Sequence, residues 1–282
     1  MASAKEIRGQ IKAIQNTGKI TKAMEMVAAS KMRKAQDRVL DGRPYAEGIQ
    51  QVIRHLMRAH PEYQHPFMIK RDVKRIGVVI VSTDKGLCGG LNTNAMKKAL
   101  IVMKDSGAEV ETYNIGRRGT LFSKRIGSKI SAAVEDVNDS PSVEDILGVI
   151  KVGMDRFENG EIDELHLVYS HFVNTMTQTP TAVQLIPATF EKEENAGRWD
   201  YIYEPDSKIV LDGLMRRFVE ARVYHGLLEN KACEHSARMV AMKAATDNAK
   251  EIARDLKITY NKARQAAITQ EIAEICSGAA AS

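Results

Sequence analysis

Apolar positions recur with a helical period at both ends of the chain and follow a different pattern in the middle. From about Ser3 to about Arg58 they run Ile7, Ile11, Ile14, then Ile20, Met24, Val27, then Met32, Ala35, Val39. The 4-3 spacing marks one helix face, with a slip of phase near Gly18. From about Ser207 to Ser277, Leu214, Phe218, Ala221, His225 and Leu228 form one stripe, and Ile252, Leu256, Thr259, Ala263 and Ala266 form another. No proline precedes Pro44 and none follows Pro205, so both ends are free to be long helices. Pro44, close behind Gly42, is a candidate bend. Some 70 helical residues span roughly 100 Å, too long for a compact domain of this size. The pattern predicts a coiled coil projecting from a globular body. Both helices join that body, which makes them antiparallel. The last helix is longer by about 15 residues, leaving roughly 20 Å beyond its partner. That tip, Ile268 to Ser282, is small and apolar and needs a socket.

The middle alternates. Ile76–Ser82 is a continuous apolar run and reads as a buried parallel strand. Asn92 or Thr93 can cap a helix reaching about Lys104. Glu109–Ile115 reads as a strand, and Gly116–Ile126 as a turn and short helix. Val143–Phe157 reads as a helix capped by Ser140 or Ser142. Leu165–Phe172 and Ala182–Thr189 read as strands separated by the polar loop Asn174–Thr181. The predicted fold class is therefore α/β: a long antiparallel coiled coil of the terminal helices plus a central α/β, Rossmann-like domain. The predicted divisions are residues 1–58, 59–206 and 207–282.

Composition sharpens this. Aromatics are few while Met and Ala are plentiful, which suits helices packed on helices. No run of eighteen apolar residues exists, and MASAKEIRGQ has no apolar core, so the sequence predicts neither a membrane span nor secretory or organelle targeting. Cys88, Cys233 and Cys276 lie far apart without metal-ligand spacing and read as free thiols of a reducing compartment. Charge is uneven: +9 over residues 1–75, −7 over 76–206 and +3 over 207–282. A basic helix suits nucleic acid, headgroups, an acidic protein surface or plain solvation.

Candidate chemistry is sparse. Ser82-Thr-Asp-Lys-Gly-Leu-Cys-Gly-Gly-Leu-Asn92 joins a strand to a helix, as phosphate-cradling loops do. Lys85 precedes the glycines, however, and no Gly-Lys-Ser/Thr follows, so a tight connection is the better reading. An enzyme binding nucleotide through the Asp84–Gly90 loop stays open as one alternative, and a basic coiled-coil nucleic-acid binder as another. His55, His60 and His65 do not align on a helix face. Gly116-Arg-Arg-Gly119 can grip a phosphate or be a solvated basic turn. No catalytic constellation, cofactor site or metal site stands out.

Ile20-Thr-Lys-Ala-Met-Glu-Met-Val-Ala-Ala-Ser-Lys-Met32 resembles the N-terminal helix of the γ-subunit family of bacterial F-type ATP synthases. Ile268-Thr-Gln-Glu-Ile-Ala-Glu-Ile-Cys-Ser-Gly-Ala-Ala-Ala281 resembles that family's C-terminal signature. Tyr260-Asn-Lys-Ala-Arg-Gln265 and Thr83–Asn92 are similar too, so the resemblance covers the chain in order. It implies a rotor shaft that couples c-ring rotation to the β-subunit sites and carries no active site or cofactor itself. It implies α and β subunits in an α3β3 ring, an ε subunit and a c-ring as partners, no nucleic acid, and a peripheral place on the cytoplasmic face of the bacterial inner membrane. By the same resemblance, Arg264, Gln265, Thr269, Arg238, Met24, Lys19, Lys22, Lys31 and Arg33 would touch β. Tyr203, Glu204, Arg43 and Tyr45 would touch the c-ring and ε.

Overall fold

A computed structural model describes residues 4–59, 65–190 and 207–280. Two long helices open and close the chain: α1, Ala4–Ala59, and α5, Ser207–Ala280. Helix α1 runs on through Pro44. The chain divides into two compact units, Met1–Ala28 with Arg238–Ser282, and Ala29–Ala237.

In the first unit α1 and α5 pair antiparallel. Thr21 Oγ1 lies 2.8 Å from Thr246 Oγ1, and a Cβ built on Gly18 would sit 3.4 Å from that of Ala249. The seam of α1 runs through Ile7, Ile11, Ile14, Gly18, Thr21, Glu25 and Ala28, all buried or half-buried. That is an unbroken 4-3 heptad, so the expected phase slip does not occur. Ile20 and Val27, expected on the seam, are 61% and 55% exposed. The seam takes Gly, Thr and Ala instead because small side chains let the helix backbones approach, and the two threonine hydroxyls satisfy each other. On α5 the seam is Met242, Thr246, Ala249, Ala253, Leu256, Tyr260 and Ala263. Ile252, Thr259 and Ala266, expected there, are exposed.

The second unit is built on a five-stranded sheet. Its strands are β1 (Arg75–Val81), β2 (Glu109–Ile115), β3 (Lys129–Val134), β4 (Glu164–Phe172) and β5 (Gln178–Ile186). They lie in the order β3-β2-β1-β4-β5, with β5 alone antiparallel. Helices α2 (Leu91–Asp105), α3 (Arg117–Arg125) and α4 (Glu144–Glu158) connect them. Strand β1 feeds both faces. Ile76, Val78 and Ile80 pack against Ala99 and Met103 of α2. Val79 and Val81 join a larger core with α4, the Ile49–Leu56 stretch of α1 and the Leu211–Leu227 stretch of α5. Gly77 is required on this second face, since a Cβ there would fall 2.9 Å from both Leu165 and Tyr113.

Four local expectations are corrected. Strand β3 is not anticipated by the sequence pattern; its residues are mostly half-buried at the sheet edge, so Lys-Ile-Ser-Ala-Ala-Val shows no clean alternation. Helix α2 begins at Leu91 behind Gly90 without a side-chain cap. Asn92 instead reaches back, accepting from Thr83 N at 3.2 Å and donating to Thr83 Oγ1 at 2.7 Å. Helix α4 is preceded by Val143 with no side-chain cap, so neither Ser140 nor Ser142 serves. Strand β5 begins at Gln178, not Ala182, and carries Pro180.

Candidate functional site

Sheets of this order bind nucleotides beyond the carboxyl ends of adjacent strands, where the order reverses, here between β1 and β4. The loop after β1 borders that point, but its Asp84 turns the other way, over the ends of β2 and β3. The Asp84 carboxylate accepts the backbone N–H of Arg117 at 2.9 Å, of Asp136 at 3.0 Å and of Val137 at 3.1 Å. Arg118 N donates to Thr83 O at 3.1 Å and Gly119 N to Ser82 Oγ at 2.7 Å. The amides opening α3, the natural anion site of that helix, are thus already paired. Gly116 makes the turn possible, with φ +98°; a Cβ there would stand 2.4 Å from Ser82 O. The Arg117 side chain is held by Glu135 at 3.1 Å and Asp136 at 2.8 Å. On the other side Cys233 of α5 packs with Cys88, Leu91 and Phe172. Burial pushes the Cys233 thiol far up. The Gly116–Gly119 turn, a phosphate candidate by sequence, is spent on internal contacts, and of the glycine-rich loop Thr83, Asp84 and Cys88 are so engaged.

The histidine series separates. His65 Nδ1 accepts from Phe67 N at 3.0 Å and caps a short 3-10 turn, Pro66–Met68. Its Nε2 lies 3.3 Å from Asp212. Burial lowers its pKa; Asp212 opposes this and Arg216 adds to it. His60 lies outside the described residues. Among the described residues no group of three or more His, Cys, Asp or Glu is arranged to hold a metal, and no helix is long and apolar enough to cross a membrane.

The β-facing candidates fall in different settings. From Arg264 onward every α5 residue whose side chain is described is exposed. Ile268, Ile272 and Ile275, spaced four and three apart on one face, are 47%, 56% and 71% exposed. Arg264, Gln265 and Thr269 lie along this stretch, with the Thr269 hydroxyl donating to Gln265 O at 2.9 Å. On α1, Lys19 is exposed, Lys22 pairs with Glu25 at 3.0 Å, and Met24 is half-buried beside the seam. Arg238 is half-buried and Arg33 exposed. Lys31 is engaged within the chain, its Nζ 2.6 Å from Asp139 Oδ2. Of the c-ring and ε candidates, Tyr45 is exposed and lines a shallow cavity of about 220 Å³ with Gly42, Tyr224, His225 and Leu228. Tyr203, Glu204 and the side chain of Arg43 lie outside the described residues.

Sequence reasoning missed one polar cluster. Glu229, Asn230, Lys231, Glu234, His235 and Ser236 of α5 are all buried. Glu229 Oε2 lies 2.6 Å from His171 Nδ1 and its Oε1 lies 3.0 Å from His225 Nε2. Burial alone would raise the pKa of Glu229, but hydrogen bonds from His225 and His171 outweigh it and the net direction is down. The signal was legible as a helical stretch with polar residues on every side, where a surface helix keeps one face apolar.

A family model described as ATP synthase matches residues 3–281. The ATP synthase gamma chain of Ralstonia nicotianae is 54% identical over 290 residues, covering the whole of both chains. That of Nitrosococcus oceani is likewise 54% identical over 290 residues, and that of Legionella pneumophila is 50% identical over 287 residues, again covering both chains in full. Among solved structures, a chain of the Euglena gracilis mitochondrial ATP synthase (OSCP/F1/c-ring, rotational state 3) aligns with a TM-score of 0.68 at 16% identity, covering 99% of this chain and 94% of that one. A chain of the Tetrahymena thermophila central stalk and c-ring aligns with a TM-score of 0.60 at 21% identity, covering 80% and 99%. These structural likenesses concern the fold.

Proposed function

The chain belongs to the ATP synthase gamma-chain family, and from that premise we propose that it is the central shaft of a proton-translocating rotary ATP synthase, with no catalytic site of its own. Residues 1–58 and 207–282 form the shaft and 59–206 the foot. The partners are an α3β3 ring around the shaft, and ε and the c-ring at the foot, on the cytoplasmic face of the membrane. The observation that carries this reading is the stripe Ile268, Ile272, Ile275, exposed and uncovered by any described part of the chain. Apolar surface of that kind calls for a protein socket, and the α3β3 ring supplies one. Arg264 offers a forked, charge-assisted donor set there and Gln265 a second contact. Lys19, Lys22, Met24, Arg33, Arg238 and Thr269 complete the β-facing set, while Lys31 serves mainly within the chain. Tyr45, Arg43, Tyr203 and Glu204 face the c-ring and ε. A shaft biases a β site only by contacting its open and closed forms differently, which an unsymmetrical helix pair does as it turns.

The test is assembly with α, β and ε, followed by Arg264→Ala with Gln265→Ala. The double variant should assemble yet lose about tenfold in ATP turnover, the worth of one or two charge-assisted contacts. Normal turnover in an assembled double variant overturns the tip assignment. ATP turnover by the chain freed of β overturns the non-catalytic reading.

A further inference from the structure

The turn between β3 and α4, residues 135–143, is tied to three parts of its unit at once. Toward the sheet, the amides of Asp136 and Val137 donate to Asp84, and Arg117 grips Glu135 and Asp136. Toward α5, the buried Lys231 donates from Nζ to Val137 O at 2.8 Å, and the Tyr224 hydroxyl donates to Pro141 O at 3.0 Å. Toward α1, Arg38 donates to Asp139 O at 2.9 Å. The Asp139 carboxylate joins both helices: Oδ2 meets Lys31 of α1 at 2.6 Å, and Oδ1 lies 3.4 Å from His235 Nε2 of α5. Asp136, a non-glycine residue at φ +57°, bends the turn into this position.

We propose that this turn is a strap that fixes the rotational setting of α1 and α5 on the sheet, with Asp139 as its positioning residue. The proposal rests on the rotor reading, in which torque passes between the helix pair and the sheet. The apolar seam here, Ala35, Val39, Leu228 and Ala232 beside Phe172 and Tyr224, resists separation. Hydrophobic contact is non-directional, though, and fixes no rotational angle by itself. Resistance to twisting falls to directional contacts, hydrogen bonds and charged pairs with defined geometry. The strap supplies these to each helix and returns the load to the sheet through Asp84. Lys31 belongs to this device.

The test uses the chain assembled with its partner subunits. Spin labels replace Lys34 on α1 and Lys97 on α2, both exposed, with the exposed Cys276 changed to Ser. Half-exposed charged contacts shift populations by a few-fold, so Asp139→Ala should widen the Lys34–Lys97 distance distribution about twofold, and Asp139→Glu should narrow it again. Protons pumped per ATP hydrolysed should fall by about half while hydrolysis itself changes less than about twofold. A purely structural role would lower assembly and both rates together and leave the ratio unchanged, which overturns the proposal. An unchanged distance distribution in assembled Asp139→Ala also overturns it. Should Asp139→Ala not assemble, the isosteric Asp139→Asn should show the same broadening and the same fall in the pumping ratio, and an Asp139→Asn complex lacking either one overturns the proposal. Failure of the unsubstituted chain to assemble with α and β would strike the rotor reading instead.

Discussion

Replacing Asp84 with alanine removes one acceptor group from three backbone amides, those of Arg117, Asp136 and Val137, now bonded at 2.9, 3.0 and 3.1 Å. A hydrogen bond to an ionised group contributes about 1.5–3 kcal/mol when protected from water. Asp84 is half-buried and two of the three bonds are exposed, so water replaces part of each, leaving about 1 kcal/mol apiece and about 3 kcal/mol in all. Asp84→Asn should lose about half of that, because its oxygen can still serve Arg117 and Asp136 while its NH2 is set against the Val137 amide. Urea unfolding followed by circular dichroism measures both losses. Sulfate should stabilise Asp84→Ala by more than it stabilises the unsubstituted chain, since both share its general exclusion effect and only the variant has an empty anion site at the start of α3. A loss below about 0.5 kcal/mol for Asp84→Ala, or identical behaviour of the alanine and asparagine variants, would refute the assignment of Asp84 as the internal occupant of the phosphate position.

The seam of the first unit predicts a disulfide. Thr21→Cys with Thr246→Cys replaces hydroxyls 2.8 Å apart and should close readily under mild oxidation, whereas Ile20→Cys with Thr246→Cys should not, because Ile20 faces outward; the reverse pattern on gels would show the helices paired in another register. Glu229 predicts acid sensitivity. Its folded pKa lies below the usual value, so it contributes stability above its unfolded pKa, about 4.3, and that contribution is lost as pH falls through the lower folded value. Glu229→Gln lacks it, so urea midpoints of the parent should drop more steeply than those of the variant from about pH 5 downward; parallel curves would remove Glu229 from the acid response.

Much of this fold was legible, and the misses have physical causes. Proline spacing marked both long helices, because a proline-free stretch keeps every backbone donor, and the apolar run at Ile76 marked the central strand, because it is covered on both faces. The seam was misread at Ile20 and Val27 because a large apolar side chain ordinarily points to the interior. In this pair of helices such side chains face outward while Gly18, Thr21 and Ala28 hold the inside. Strand β3 escaped because an edge strand buried only in part on both faces has no period to detect. The caps expected at Asn92 and Ser142 failed for a different reason. Asn92 finds a better partner in Thr83, while the Ser142 amide meets Asp145, one half of a capping box, and its hydroxyl serves Glu144 instead of the helix amides. The candidate tip at Arg264, Gln265 and Thr269 came from the resemblance alone. The structure adds the uncovered isoleucine stripe beside it.

The filled crevice and the strap are one arrangement. Asp84 closes the amides of α3 and, with the same carboxylate, holds the amides of Asp136 and Val137 that begin the strap. On α5, Lys231 reaches the strap while Cys233, two residues on, packs into the crevice, and His235 returns to Asp139. Opening the crevice for a phosphate would displace Asp84 and release the strap; withdrawing α5 to make room for a base would remove Lys231 and His235 from it. A phosphate at the start of α3 and a fixed strap therefore compete for the Asp84 carboxylate's place. In a nucleotide-binding sheet of this order the reversal point receives a ligand that comes and goes. Here α5 packs beside it through Cys233, and on the other side of β1 the Asp84 carboxylate holds the start of α3 and of the strap. On the proposed reading, the same carboxylate that occupies the amides of α3 also anchors the strap that steadies the helices.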